Sequence, residues 1–478
     1  LSTTIGWGVV AALVFTCLAH GAVEPWSILI FEVLIIVLML LWGAKALYDK
    51  QLRLVIPDAA LPLAALLVLG LVQSIVFTGE SGRWVSLSAD VGATRSTVIV
   101  IVFLLISFLL ASNVLGTRRR LGRFANFAVI FGLALAIFGL VQSFTWNGKL
   151  YWIRPTDAPS PFGPFANHSH FAGYMEMLIP IPIALAVKRA VRGELRVLYV
   201  FAAAMMMLSV VASLSRGGMI SVAGGVTFIV LVSAGMLWTR RTRRSSRAVD
   251  GALSAGRTGS SPAAVIASQV VLAMALVGVI TAGIFWIGAD PVIERVTKGQ
   301  PVAPGAASET FYMSRGWVWR DAAAMIIANP IFGVGLGAFG TAFPIYTRSD
   351  GSIRVPQAHN DYLQILADGG IVGGIIAAWF IVLVFRAVRR GVRSTDPLLS
   401  GLALGSGASI FSILVHSIFD INLQVPSNAL LFLVFAAIAS SIAAISETGS
   451  PNTLAPRGRA SETRTESVPA TVQQGVLL

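Results

Sequence analysis

An all-α polytopic membrane protein is the fold class this sequence predicts, on three observations. Apolar residues make up 56% of the 478 residues, charged residues only 12%, and the apolar residues collect in runs of roughly helical-span length. Soluble domains carry about 25% charged residues, and a hydrocarbon core of ~30 Å takes about 20 residues of helix per crossing. Mean hydropathy is +0.80. Twelve runs qualify approximately: 2–20, 26–46, 55–77, 95–114, 122–145, 169–187, 195–214, 217–238, 263–287, 369–388, 398–419 and 428–446. The first run lacks a basic leading region and a cleavage site, so it is expected to be a retained helix and not a signal peptide. The single cysteine, Cys17, lies in an apolar run, which argues against a disulfide framework and a thiol metal site.

The net charge of +13 does not point to nucleic acid here, because Lys and Arg mark the cytoplasmic loops of membrane proteins. Of the 35 basic residues, 21 fall in five alternate connections: around Lys45–Arg53, Arg118–Arg123, Lys188–Arg196, Arg240–Arg257 and Arg386–Arg393. The short connections between them hold five: Arg83, Arg95, Lys149, Arg154 and Arg216. This contrast predicts that the basic loops and both termini are cytoplasmic. Three segments are not expected to be membrane. Residues 239–262, rich in Arg, Ser, Gly and Ala, resemble a flexible linker, and 447–478 have the composition of a disordered tail. Residues 288–368 form one long outer loop with helical pattern of its own. The chain thus divides into N-terminal helices one to nine (1–287), a large periplasmic loop (288–368), helices ten to twelve (369–446) and a cytoplasmic tail (447–478).

Chemistry-bearing residues concentrate in the outer loop. The run SRGWVWRDAAAMIIAN, Ser314 to Asn329, reads as a helix with Arg315 and Trp319 on one face and Trp317 and Arg320 on a neighbouring one. An interfacial helix whose arginines touch lipid phosphates has the same pattern. The following PIFGVGLGAFG matches a dinucleotide fingerprint formally, but no strand precedes it and no βαβ unit surrounds it, so a tight glycine turn at the membrane surface is expected. In VPQAHNDYLQILADGGIVGG, Pro356 ends what comes before, and Asn360 or Asp361 can cap a new helix. His359 then sits at a helix start, where backbone N–H groups favour an anion. An imidazole there can act as a general base, or simply cap or line the interface. Asn360 and Gln364, at i, i+4, add polar contacts on one side.

Arg216, in SLSRGG, lies between two apolar runs. An arginine near membrane depth costs ~2.5–3.5 kcal/mol unless paired or hydrated, which makes it a functional candidate, with snorkelling from a helix end as the alternative. His168, His170 and Glu176 lie together in NHSHFAGYMEM, without a third metal ligand at a recognisable spacing. His416 and Asp420 are at i, i+4 near the outer end of the eleventh run, a spacing that allows them to pair in a purely structural role. Glu24 and Glu32 lie at or within the membrane, with partners that cannot be read. No metal site, Walker motif or serine elbow is present.

Guanidinium groups hold phosphate oxygens without a change of protonation. Arg216 and Arg315 therefore fit a lipid-linked pyrophosphate, with His359 taking a proton from an incoming hydroxyl. The stretch from Met313 to Gly374 resembles the signature region of the O-antigen ligase and O-antigen polymerase family. The shared features are an Arg followed by Trp on the loop helix (Arg315, Trp319), then Asn329-Pro330-Ile331-Phe332-Gly333-Val334-Gly335, then His359-Asn360-Asp361-Tyr362-Leu363-Gln364 and Gly370-Ile371-Val372-Gly373. VEPWSILIFEVL (23–34), NHSHFAGYMEMLIP (167–180), SLSRGG (213–218) and HSIFDINLQVPSNALLF (416–432) are similar as well. One departure is Asp368, where the family often has Glu.

The resemblance implies a C-type glycosyltransferase-like membrane fold in a bacterial inner membrane, with the active site periplasmic. It implies a donor of undecaprenyl-diphosphate-linked oligosaccharide and an acceptor that is a glycan or lipid A-core. Transfer would be inverting and use neither cofactor nor metal. By position, His359 would be the catalytic base and Arg216 and Arg315 the pyrophosphate ligands. Asn360, Gln364, Trp319 and Arg320 would give support. Ligases, polymerases and protein O-oligosaccharyltransferases all share these features, and the NHSHFAGYMEM and DINLQVPSNA stretches lean toward exopolysaccharide-type polymerases. The alternative is a transporter or flippase for lipid-linked oligosaccharide, which predicts polar residues at the bilayer midplane. The membrane runs hold few.

Overall fold

The computed structural model describes residues 2–51, 54–78, 84–156, 160–249, 315–348 and 354–448. The expected ninth run, 263–287, and the tail beyond Thr448 lie outside them. Fourteen helices are described: α1 (Ser2–Leu18), α2 (Pro25–Tyr48), α3 (Ala60–Gln73), α4 (Val91–Val114), α5 (Arg118–Phe144), α6 (His168–Leu178), α7 (Pro180–Val187), α8 (Gly193–Ala212), α9 (Arg216–Val249), α10 (Arg315–Ala328), α11 (Phe339–Tyr346), α12 (Asp361–Val392), α13 (Pro397–His416) and α14 (Pro426–Thr448). The strands are confined, among the described residues, to two short antiparallel hairpins, Val76–Thr78 with Trp84–Ser86 and Lys149–Leu150 with Arg154–Pro155. Among the described residues nine helices, counting α6 and α7 as one, are long and apolar enough to cross a membrane. The protein is a multi-pass membrane protein.

Four elements differ from the sequence expectation. α1 has 17 residues and α3 only 14, because α3 starts after Pro57 and runs directly into the first hairpin. α9 stays helical through Val249, so the stretch expected as a linker from residue 239 is helix over its first part. The tenth run begins at Asp361, eight residues earlier than 369, and is interrupted at Gly370 (φ 62°, ψ −161°).

That interruption is where the glycine-rich turn docks. Gly333, Gly335 and Gly337 adopt φ of 69°, 108° and 79°, the region that disfavours any side chain. Val334 N–H donates to Ala367 O (2.8 Å), Gly335 N–H to Asp368 O (3.0 Å) and Ile371 N–H to Pro330 O (2.8 Å). Those helix groups are available because Gly370 leaves the helical ladder. Gln73, buried at the end of α3, locks the turn from below: its Nε2 donates to Phe332 O (2.7 Å) and Asp368 O (3.0 Å), and its Oε1 accepts from Leu336 N–H (3.0 Å). The expected surface turn is therefore a buried joint between α3, α10 and α12.

α13 and α14 form the most enclosed part of the bundle, packed against α4, α6, α7, α9 and α12. Small residues let the backbones approach, as membrane helices without a hydrophobic driving force require. A Cβ on Gly401 or Gly405 would come within 3.0 Å of Leu185 or Ile181 on α7. The basic end of the bundle is tied by the Arg118–Asp396 ion pair, with Asp396 also capping α13 through Leu398 N–H at 2.8 Å. At the other end, α8 and α13 finish while α6, α9, α12 and α14 begin. The candidate site lies there.

Candidate active site

The HNDYLQ segment is rigid by construction. Asn360 caps α12, its Oδ1 accepting from Tyr362 N–H (2.9 Å) and Leu363 N–H (3.0 Å), while its Nδ2 donates to Ile418 O (3.0 Å). Gln364 Oε1 accepts from Ala358 N–H (2.8 Å), and Trp319 Nε1 donates to Ala358 O (3.1 Å). Both peptide groups flanking the chain before His359 are thus fixed, and His359 itself is held at φ 51°. Left-handed backbone on a non-glycine residue is uncommon and costs of order 1 kcal/mol or more; such strain clusters at functional sites. Asp361 adds a tie across helices: its buried Oδ2 accepts from Ser417 Oγ (2.8 Å) and Leu423 N–H (3.2 Å).

Asp420 joins two of the residues that the sequence singled out. Arg315 Nη2 donates to its Oδ2 at 3.0 Å, and His359 Nδ1 lies 3.2 Å from its Oδ1. The Asp420 side chain is 1% exposed, against 43% for Arg315 and 37% for His359, so the carboxylate is the floor and the two cation-forming groups face outward. Burial alone would push the Asp420 carboxyl up. The His359 hydrogen bond and the Arg315 charge outweigh it and hold the carboxyl well below the usual range. An ionised carboxylate only accepts hydrogen bonds, so His359 Nδ1 must be the donor, which in the neutral ring leaves the Nε2 lone pair open.

The pairing that the spacing allows between His416 and Asp420 does not form. His416 Nδ1 meets Glu176 Oε2 at 2.8 Å, with both side chains buried. α13 ends at His416, and the following residues turn back through Phe419 N–H and Asp420 N–H to His416 O. Asp420 thus lies in the closing turn beyond the helix, and the two side chains go to different neighbours. Glu24, in the connection before α2, finds its partner in Arg154, 2.6 Å away in the connection after α5.

The remaining sequence candidates are placed as follows. Arg216 is the first residue of α9 and is exposed. The adjacent Gly217 is pressed onto the end of α13, where a Cβ would lie 2.6 Å from His416 Cδ2 and 3.3 Å from Phe419 Cβ. Arg216 thus starts at the same end of the bundle as the Arg315–Asp420–His359 group, next to the turn that carries Asp420. Arg320 is engaged elsewhere, with Asp321 at 2.8 Å, and Asp321 also accepts from Thr347 Oγ1 (3.2 Å) and Arg348 N–H (3.1 Å). Asn360, Gln364 and Trp319 act on the backbone around His359. Asp368 is buried between Gln364 Nε2 (3.0 Å) and Gly337 N–H (3.1 Å), as part of the glycine joint.

Two residues enter the site that the sequence did not assign to it. One is Asp420. The other is His170, in the first turn of α6, whose Nε2 is shut off from solvent with no hydrogen-bond partner and whose ring lies in the electrostatic field of Asp420, His359 and Arg315. His416 lies in the field of the same Asp420 and Arg315, and of His170 and His168. The only sequence signal was that these residues lie in the motifs 167–180 and 416–432.

Residues 201–378 match the family model described as O-antigen ligase. Over that segment, somewhat more than a third of the chain, the sequence is similar to the O-antigen ligase family. A search of curated proteins found no match. The O-antigen ligase segment runs from α8 into α12 and contains Arg216, Arg315 and His359, while His170 and Asp420 lie on either side of it. The family ties this protein in general to ligase- or polymerase-type glycosyl transfer, from a lipid-linked glycan to an acceptor.

Proposed function

We propose that the protein transfers a glycan from an undecaprenyl-diphosphate-linked donor to an acceptor hydroxyl at the periplasmic face of the bacterial inner membrane, by a single inverting displacement without metal. The observation that carries this reading is the bridge of Asp420 between Arg315 and His359. Asp420 orients the imidazole so that Nε2 faces the acceptor. The acceptor oxygen attacks the anomeric carbon as its proton passes to His359 Nε2. The bond from that carbon to the phosphate oxygen breaks, and the polyprenyl diphosphate leaves with the bonding pair. Arg315, nearly half exposed, and Arg216 neutralise the diphosphate as it departs.

A transferase with this machinery covers ligases, polymerases and protein O-oligosaccharyltransferases, which differ in the acceptor. The test is an assay of the purified full-length protein in nanodiscs, with synthetic polyprenyl-diphosphate oligosaccharide, candidate acceptors and chelator. A new glycosidic product is expected from the wild type and none from His359→Asn. A flippase moves the lipid but makes no product. Undiminished product from His359→Asn removes the imidazole as base.

A further inference from the structure

At the opposite, basic end of the bundle, α1, α4 and α5 line an open groove, away from the site proposed for glycan transfer. Gly6 brings α1 close to α4 to form its base: a Cβ there would sit 3.1 Å from Val114 Cγ1. Arg120 and Arg123 line the mouth from α5, and Trp7, Val10 and Phe127 line the stem. No carboxylate is among the lining residues. Arg120 gives one bond, 2.9 Å, to Val114 O at the end of α4, and Arg123 is exposed. The nearby Asp396 is already paired with Arg118.

Two cations three residues apart on one helix repel each other unless an anion lies between them. The seven steps from Arg120 to Phe127 rise about 10 Å along the helix, so the cationic mouth continues into an apolar stem running along α5. Its polarity is that of a molecule with an anionic head and an acyl chain. A soluble phosphate would leave the stem empty, and a zwitterionic lipid would bring its own cation to the arginines. We propose that this groove is a site for an anionic phospholipid, its phosphate between Arg120 and Arg123 and one chain along Trp7, Val10 and Phe127. Basic pockets between membrane helices commonly hold such headgroups on the side of the basic loops.

The test uses the full-length protein in detergent micelles, titrated with dioleoyl-phosphatidylglycerol, dioleoyl-phosphatidylcholine or inorganic phosphate. Lipid retention is read by native mass spectrometry and stability by the thermal midpoint. Phosphatidylglycerol should be retained and raise the midpoint, while the other two should do neither. Arg123→Gln should weaken retention about fivefold, as expected for one cation near a lipid surface. The Arg120→Gln/Arg123→Gln double variant should abolish it. Arg386→Gln, on α12 at the same end but outside the groove, should retain lipid like the wild type. Equal retention of phosphatidylcholine, an equal response to phosphate alone, or an Arg386→Gln loss as large as that of Arg123→Gln each overturns the proposal.

Discussion

Asn tolerates a left-handed backbone better than other non-glycine residues, so His359→Asn preserves the φ of 51° while removing the imidazole. Transfer is expected to fall by about 10²-fold or more, the usual contribution of a positioned base, with an unchanged thermal midpoint. Asp420→Asn tests the orienting role. Its amide cannot accept from both Arg315 and His359, so transfer should fall at least ~10-fold and the donor KM should rise. For pH dependence the sign is set by a folded carboxyl held below its ordinary value. Its stabilisation is fully present above the unfolded value near 3.9 and is lost as pH falls through the folded value. The thermal midpoint of the wild type should therefore not respond to Asp420 between pH 5 and 8. A drop within that window that Asp420→Asn eliminates would count against the ion pair.

At the scale of elements, the glycine joint is what holds α10 and the His359 segment on the bundle. A Cβ on Gly370 would lie 2.2 Å from Ile331 O, and the residue needs φ of 62°. Gly370→Ala is expected to destabilise by more than ~2 kcal/mol, from backbone strain and clash together, seen as a lower thermal midpoint and reduced transfer. Gln73→Leu, similar in bulk, removes the Gln73 bonds to Phe332 O and Leu336 N–H, while Asp368 O keeps Gly335 N–H, and should act in the same direction; wild-type stability for both would show that the joint is incidental. Much at this scale was legible. The helix from Ser314 to Asn329 is found as Arg315–Ala328, and the cap at Asn360 is found as read, because caps and helical period are local properties. The apolar run was counted only from 369, although the helix start at Asn360 was legible, because Asp361 and Asp368 are charged in the sequence yet buried in the fold, where Ser417 and Gln364 bond them. Asp420 was missed for a related reason: it is 61 residues from His359 and 105 from Arg315, and no local pattern reports contacts of that separation.

The whole molecule carries polar chemistry at one end and its basic connections at the other. If the basic loops are cytoplasmic, a cysteine at exposed Arg348 should react with an impermeant maleimide in intact cells, and one at exposed Arg119 only after lysis. Cys17 is fully buried and silent. Reversed labelling would invert the topology and put the candidate site on the wrong side for a periplasmic acceptor.

The amino-acid sequence alone determined that the chain lives in a bilayer, where its helices run and which family it resembles, because hydrocarbon thickness and charge placement constrain each segment separately. Which side chains share a site was decided only by packing. The end of α13 meets the start of α12 and the loop helix α10, and that meeting places one buried carboxylate under Arg315 and His359 and sends His416 to Glu176 instead.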